Sequence, residues 1–184
     1  MNVTVFLSSR DGKNPLYKKA SSHLGARLAQ SGHTLVYGGS KEGCMGAISD
    51  AALLHHGRVI AVYPDGFLPL EPPRQNASQL YLTKSMDERK RKLIDLGDAF
   101  VVMPGGFGTM EEAFQLLTEM AINQTRIRPV IFVGKTFYSS LSHFIQLQLK
   151  EGMLSSEVAS AMHFVDNIEE TINLLGENHL EQAI

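Results

Sequence analysis

The chain has 184 residues, enough for one well-cored domain and short for two. Its hydrophobic fraction of 43% and charged fraction of 20% are ordinary for a globular protein, and a net charge of −2 gives no electrostatic case for a nucleic acid polymer or an acidic membrane. The single cysteine, Cys44, excludes an internal disulfide, and no apolar run approaches the roughly 20 residues of a membrane span, so a cytoplasmic setting is expected.

The opening Met1-Asn2-Val3-Thr4-Val5-Phe6 lacks the basic region and cleavage site of a signal peptide and reads as a strand. That strand, over 3–7, is followed by Ser8-Ser9-Arg10 and a helix near 15–31. A second strand, 34–37, runs into Gly38-Gly39-Ser40-Lys41-Glu42-Gly43 and a helix near 44–56. A third, 59–62, leads into the stretch 64–76, whose four prolines and lack of periodicity read as an ordered loop or lid. A helix near 86–97 and a strand at 100–103 come next, then the turn 104–109 and a helix near 110–123. A strand at 130–133, a helix near 137–151, a weaker strand near 163–165 and a helix at 167–175 complete the series, with 176–184 read as a frayed tail. Continuous apolar strands separated by helices predict a doubly wound, Rossmann-like parallel α/β sheet flanked by helices on both faces, forming a single domain over 1–184. Such folds bind ligands beyond the carboxyl ends of the strands.

The turn with the strongest chemical content is Pro104-Gly105-Gly106-Phe107-Gly108-Thr109-Met110-Glu111-Glu112. A strand enters a glycine-rich turn that opens a helix. The glycines allow φ > 0 and close approach of backbone to a ligand, and the free N–H groups of the helix start make an anion site suited to phosphate. Thr109-Met110-Glu111-Glu112 also has the spacing of a capping box, and helical periodicity alone does not select Glu112 over Glu111 or Glu119 for a role in a cleft. On the helix 86–97, Met86, Leu93, Ile94, Leu96 and Gly97 form one face, and Arg89 and Lys90 fall inside its arc. The two cations either snorkel over apolar surface or turn into the cleft to meet an anion. Neither glycine turn matches the dinucleotide fingerprint or the P-loop, so bound NAD and ATP hydrolysis lose support. The seven histidines have no metal spacing, Cys44 has no histidine beside it, and Met45, Met110 and Met120 read as core filler; no metal or cofactor is expected.

Residues 104–112 fit a Pro-Gly-Gly-x-Gly-Thr-x-x-Glu signature, Ser85-Met86-Asp87-Glu88-Arg89-Lys90 resembles a Met-His-Glu-Arg-Lys block, and Val36-Tyr37-Gly38-Gly39-Ser40 with Gly43-Cys44-Met45-Gly46 resembles a second glycine turn. Together, over about 3–152, these resemble the Lonely Guy (LOG) proteins, which are cytokinin riboside 5′-monophosphate phosphoribohydrolases. The resemblance implies that Arg89 and Glu112 are the catalytic pair and that Glu71, Lys90, the turn Gly106-Phe107-Gly108-Thr109-Met110 and Thr118 contact a nucleotide. Ser9, Gly39, Gly105 and Glu111, on the same turns and strand ends, complete the set expected to bind substrate. It implies cleavage of the N-glycosidic bond of a purine riboside 5′-monophosphate and a homodimeric assembly; a helix N-terminus and Arg89 should both keep Glu112 ionised. Two other readings remain: a nucleotide-binding module without turnover, and a salvage nucleosidase acting on AMP. Asp87, Ser40 and Cys44 depart from the family pattern; Asp87 falls on the outer face of its helix, whereas Ser40 and Cys44 bear on base preference. Many relatives carry the label lysine decarboxylase, but nothing in the sequence supports a pyridoxal phosphate site.

Overall fold

A computed structural model of the chain describes residues 1–67 and 73–181. In chain order it contains β1 (Asn2–Phe6), α1 (Pro15–Gln30), β2 (Thr34–Tyr37), α2 (Gly43–Leu54), β3 (Val59–Pro64), β4 (Gln79–Thr83), α3 (Met86–Leu96), β5 (Ala99–Val102), α4 (Phe107–Ala121), β6 (Val130–Val133), α5 (Ser139–Lys150), α6 (Ser156–Ser160), β7 (Met162–Val165) and α7 (Ile168–Glu181). The seven strands form one sheet in the order β4-β3-β2-β1-β5-β6-β7, and every pairing is parallel. This is the doubly wound fold expected from the sequence.

Two cores cover the two faces. Val3 and Val5 of β1 join Leu24 and Leu28 of α1, Ile48 of α2 and Ile172 of α7 on one side. Phe6 of β1 joins Leu93 and Ile94 of α3, Leu116 of α4, Phe132 of β6 and Ile145 of α5 on the other. The alternation along a strand thus divides the helices between layers. Thr4, between the two valines, is fully buried because its hydroxyl donates to Leu93 O of α3 at 3.0 Å.

The path of the chain reverses at β1, whose neighbours are β2 on one side and β5 on the other. Helices leaving β1 and β5 go to opposite faces, opening a crevice beyond their carboxyl ends. The structure corrects several expected boundaries. β4 was not anticipated. It is an edge strand of mixed polarity that pairs only with β3, with Leu82 half exposed. The short α6 was also not anticipated. α7 runs to Glu181, so the segment expected to fray from 176 is helical, and 182–184 lie outside the described residues. Within the expected lid, Asp65–Phe67 form a 3₁₀ turn. Arg74 anchors the far end: its N–H donates to Gly39 O at 3.0 Å and its guanidinium meets Asp50 at 2.6 Å.

Candidate active site

The crevice at the reversal point is a cleft of about 520 Å³. Its walls come from the loop after β1 (Ser8, Ser9, Arg10), the turn after β2 (Gly38, Ser40), the end of β3 (Tyr63, Pro64), α3 (Met86, Arg89, Lys90) and the start of α4 (Gly106 to Thr109, Glu111, Glu112). At its floor, Arg89 Nη1 donates to Glu112 Oε1 at 2.7 Å, and each residue is only 6% exposed. Arg89 also donates from Nε to Val62 O at 3.2 Å and from Nη2 to Gly38 O at 3.4 Å. Three elements therefore fix one guanidinium. Gly38 has no room for a Cβ, which would overlap Arg89 Nη2. Burial pushes the Glu112 carboxyl up, and the adjacent Arg89 charge and hydrogen bond oppose that rise. The expectation that Arg89 holds Glu112 ionised thus meets a larger desolvation effect of opposite sign.

The α4 start differs from a capping box. Its N-cap is Gly106, with no side-chain cap, and Thr109 lies inside the first turn. The backbone enters the helix before Thr109, so the Thr-x-x-Glu spacing does not serve as a cap. The first-turn N–H groups are left for a ligand or solvent. The glycines of this turn do not have positive φ; they act through space instead. A Cβ at Gly106 or Gly108 would meet nothing within 4 Å, and both residues line the cleft, so backbone faces open space there. Gly105 lies outside the wall, packed so closely under Thr109 that a Cβ would overlap its hydroxyl.

Of the residues expected at the site, Ser9, Arg89, Lys90, Gly106, Phe107, Gly108, Thr109, Glu111 and Glu112 are brought together around the cleft. Met110 packs against the core instead. Gly39 is a turn residue at φ +83°, placed against the Tyr63 ring rather than in the wall. Thr118 is exposed on α4, about 9 Å along the axis from Glu112, and outside this cleft. Glu71 lies outside the described residues. Arg89 and Lys90 do turn inward, but not as unpaired cations. Lys90 Nζ meets Glu111 Oε1 at 2.7 Å and Asp87 Oδ1 at 3.2 Å, and these partners raise its pKa. Sequence reasoning missed Tyr63, Met86 and Arg10 as wall residues, and it took Met45, which lines the cleft, for core alone. The position of each at a strand's carboxyl end or in the following helix turn was the available signal.

The fold and the cleft define a Rossmann-like α/β protein with an uncapped helix N-terminus and a buried Arg–Glu pair at the reversal point of its sheet. A family model described as possible lysine decarboxylase matches residues 45–175, and the chain belongs to that family, the one to which the LOG proteins are assigned. A cytokinin riboside 5′-monophosphate phosphoribohydrolase of Rhodococcoides fascians is 32% identical over 172 residues, covering 93% of this chain and 87% of its own. An Arabidopsis thaliana protein of the same description is 33% identical over 178 residues, covering 95% and 81%. Among solved structures, a molybdenum cofactor carrier protein from Chlamydomonas reinhardtii superposes with a TM-score of 0.75 at 18% identity, over 96% of both chains. A molybdenum cofactor binding protein from Rippkaea orientalis gives 0.74 at 20% identity, over 96% of this chain and 95% of that one. At that identity these two speak for the fold.

Proposed function

We propose that this protein hydrolyses the N-glycosidic bond of a purine riboside 5′-monophosphate, releasing free base and ribose 5-phosphate. The observation that carries the reading is the buried Arg89–Glu112 pair set beside the uncapped start of α4. The open backbone of Gly106 and Gly108 and the first-turn N–H groups receive the phosphate. That places the ribose over Glu112. Glycosidic cleavage develops positive charge at the anomeric carbon, and the Glu112 carboxylate stabilises it. Water adds to that carbon as the bond to the base breaks; the base leaves with the electron pair and takes up a proton, and the water gives one up. Arg89 orients the carboxylate and balances its charge. The named relatives support this substrate class, in its cytokinin-type or plain purine form.

Schiff-base chemistry fits the cleft poorly. Such chemistry needs a lysine with a depressed pKa, and Lys90 is driven the other way by Glu111. The active form is a homodimer of single-domain subunits. Phe107, Phe114 and Ile122 lie on one side of α4, exposed by 97%, 40% and 57%, and a second copy is a fitting cover for this apolar stripe. Thr118 is on the same stripe, so a dimer also brings it towards a neighbouring cleft. Among the described residues no helix is long and apolar enough to cross a membrane. A nucleotide substrate and the buried free thiol of Cys44 fit the cytoplasm.

The test is turnover. Purified protein is incubated with AMP and with isopentenyladenosine monophosphate, and free base is followed by chromatography. Release from either supports the reading, and the ratio of kcat/KM values separates cytokinin activation from nucleotide salvage. Nucleotide binding without release of base from either would leave a carrier or sensor in its place.

A further inference from the structure

We infer that Arg10 is the cation that meets the phosphate of the substrate, and so sets the preference for a nucleotide over a nucleoside. The inference rests on the proposed reading of the cleft as a nucleotide site. Its basis is the distribution of charge around that cleft. The charged residues of the described wall are Arg10, Arg89, Lys90, Glu111 and Glu112. Arg89 is committed to Glu112, Val62 O and Gly38 O. Lys90 is held between Glu111 and Asp87. The inner charges therefore cancel in place. Arg10 alone in this wall has no carboxylate partner among the described residues. Its neighbour Asp11 is engaged with Lys18 at 3.0 Å.

A phosphomonoester carries about −1.5 to −2 charges at neutral pH, whereas a helix N-terminus offers only about +0.5. The start of α4 can orient the phosphate by its N–H groups but leaves most of the charge uncompensated. A guanidinium supplies the missing charge and can donate two parallel hydrogen bonds to phosphate oxygens. The loop that carries Arg10 is a fixed platform. The Met45 N–H of α2 donates to Ser8 O at 3.2 Å, and the Arg10 N–H donates to Ser8 Oγ at 2.9 Å. Gly43, at φ +56°, packs so closely on the Ser9 carbonyl that a Cβ would overlap it. The loop follows β1 and the phosphate turn follows β5, and these strands are neighbours at the reversal point. Their two loops thus flank one opening from opposite layers. The Arg10 side chain is exposed, so ordering it is an event of ligand binding.

The test uses Arg10→Ala and Arg10→Lys with AMP, adenosine and ribose 5-phosphate. Arg10→Ala is expected to raise KM for AMP about tenfold or more, with a smaller change in kcat, and to narrow the preference for AMP over adenosine. Titration calorimetry should find ribose 5-phosphate affinity reduced by a similar factor, and Arg10→Lys should recover part of it. The KM for AMP should rise more steeply with salt in the parent protein than in Arg10→Ala. Unchanged ribose 5-phosphate affinity in Arg10→Ala, or equal losses on AMP and adenosine, would overturn the inference. Arg10-dependent binding of ribose 5-phosphate with no release of base from either AMP or isopentenyladenosine monophosphate would sink the hydrolase reading and leave this one standing.

Discussion

Nη1 of Arg89 lies 2.7 Å from Oε1 of Glu112, joining residues 23 positions apart that are both almost closed to solvent. α3 brings the arginine and α4 the glutamate, and β5 between them sets the helix starts side by side at one edge of the sheet. A buried ion pair of this kind is weak as a stabilising device, because desolvation offsets most of its attraction. Its value here is positional: a carboxylate is held at the floor of a cleft with its partner fixed by two backbone carbonyls.

Removing the carboxylate should therefore separate activity from stability. Glu112→Gln keeps the shape and an acceptor for Arg89 but loses the charge proposed to meet the transition state. Release of base from the nucleotide should fall by about 10²-fold or more, with the nucleotide still bound. Glu112→Ala leaves Arg89 buried and unpaired, and urea unfolding should register a loss of about 3 kcal/mol or more. The apolar pair Arg89→Met with Glu112→Leu should regain most of that stability while remaining inactive. Equal stability of the alanine variant and the double variant would refute this account of the pair.

The pH profile follows from the same contact. Burial raises the Glu112 pKa and Arg89 lowers it. The proposed mechanism requires the ionised form, so kcat/KM should fall on the acid side at a pH above the ordinary carboxylate range. In Arg89→Met the opposing charge is gone, and the acid limb should move to higher pH. The linked stability effect has a definite sign. A folded pKa above the unfolded one means that the native form binds the proton more tightly, so this group's contribution is present at low pH and lost as pH rises through the folded value. The stability of Glu112→Gln relative to the parent protein should then rise with pH across that window. A flat difference would show that the native carboxyl is unshifted.

The sheet was legible in the sequence to the degree that its strands are buried on both faces. β2 and β6 fall within the expected residues because Thr34–Tyr37 and Val130–Val133 are short apolar runs with no competing period. β4 was missed because Gln79–Thr83 is an edge strand whose polar and apolar residues follow no clean pattern, directly after a proline-rich stretch. The inward turn of Arg89 was readable from its place on the helix arc. Its commitment to Glu112 was not, since a contact across 23 residues is made by topology rather than periodicity. The capping-box spacing at Thr109 pointed to a later helix start than Gly106 provides, because glycine caps leave no side-chain signature.

Arg128 shows how a residue outside the cleft supports it. It is 4% exposed, and its Nη1 donates to Ile94 O at 2.8 Å and to Gly97 O at 2.6 Å, carbonyls at the end of α3. Nη2 reaches Thr125 Oγ1 at 2.6 Å, and the guanidinium lies 4.7 Å from the centre of the Phe100 ring. The helix that carries Arg89 is thus closed at its far end by a side chain from the segment before β6. Arg128→Met should leave two buried carbonyls unpaired and lower stability by about 2–4 kcal/mol in urea unfolding. Hydrogen exchange should increase most in the last turn of α3. A loss spread evenly over the sheet would point to general repacking instead.

Glycine substitutions should sort by what each missing Cβ leaves free. At Gly38 a Cβ would collide with the Arg89 guanidinium, so Gly38→Ala should displace the arginine, lower stability by about 1–3 kcal/mol and reduce kcat. At Gly108, inside the first turn of α4, a Cβ meets only open space. Gly108→Ala should therefore stabilise the helix by about 0.5–1 kcal/mol while its methyl group crowds the phosphate and raises KM. One substitution acts through the protein's own packing and the other through the space left for the ligand. Thermal unfolding with steady-state kinetics separates them: a Gly108→Ala protein with higher melting temperature and unchanged KM for AMP would remove the phosphate from this turn.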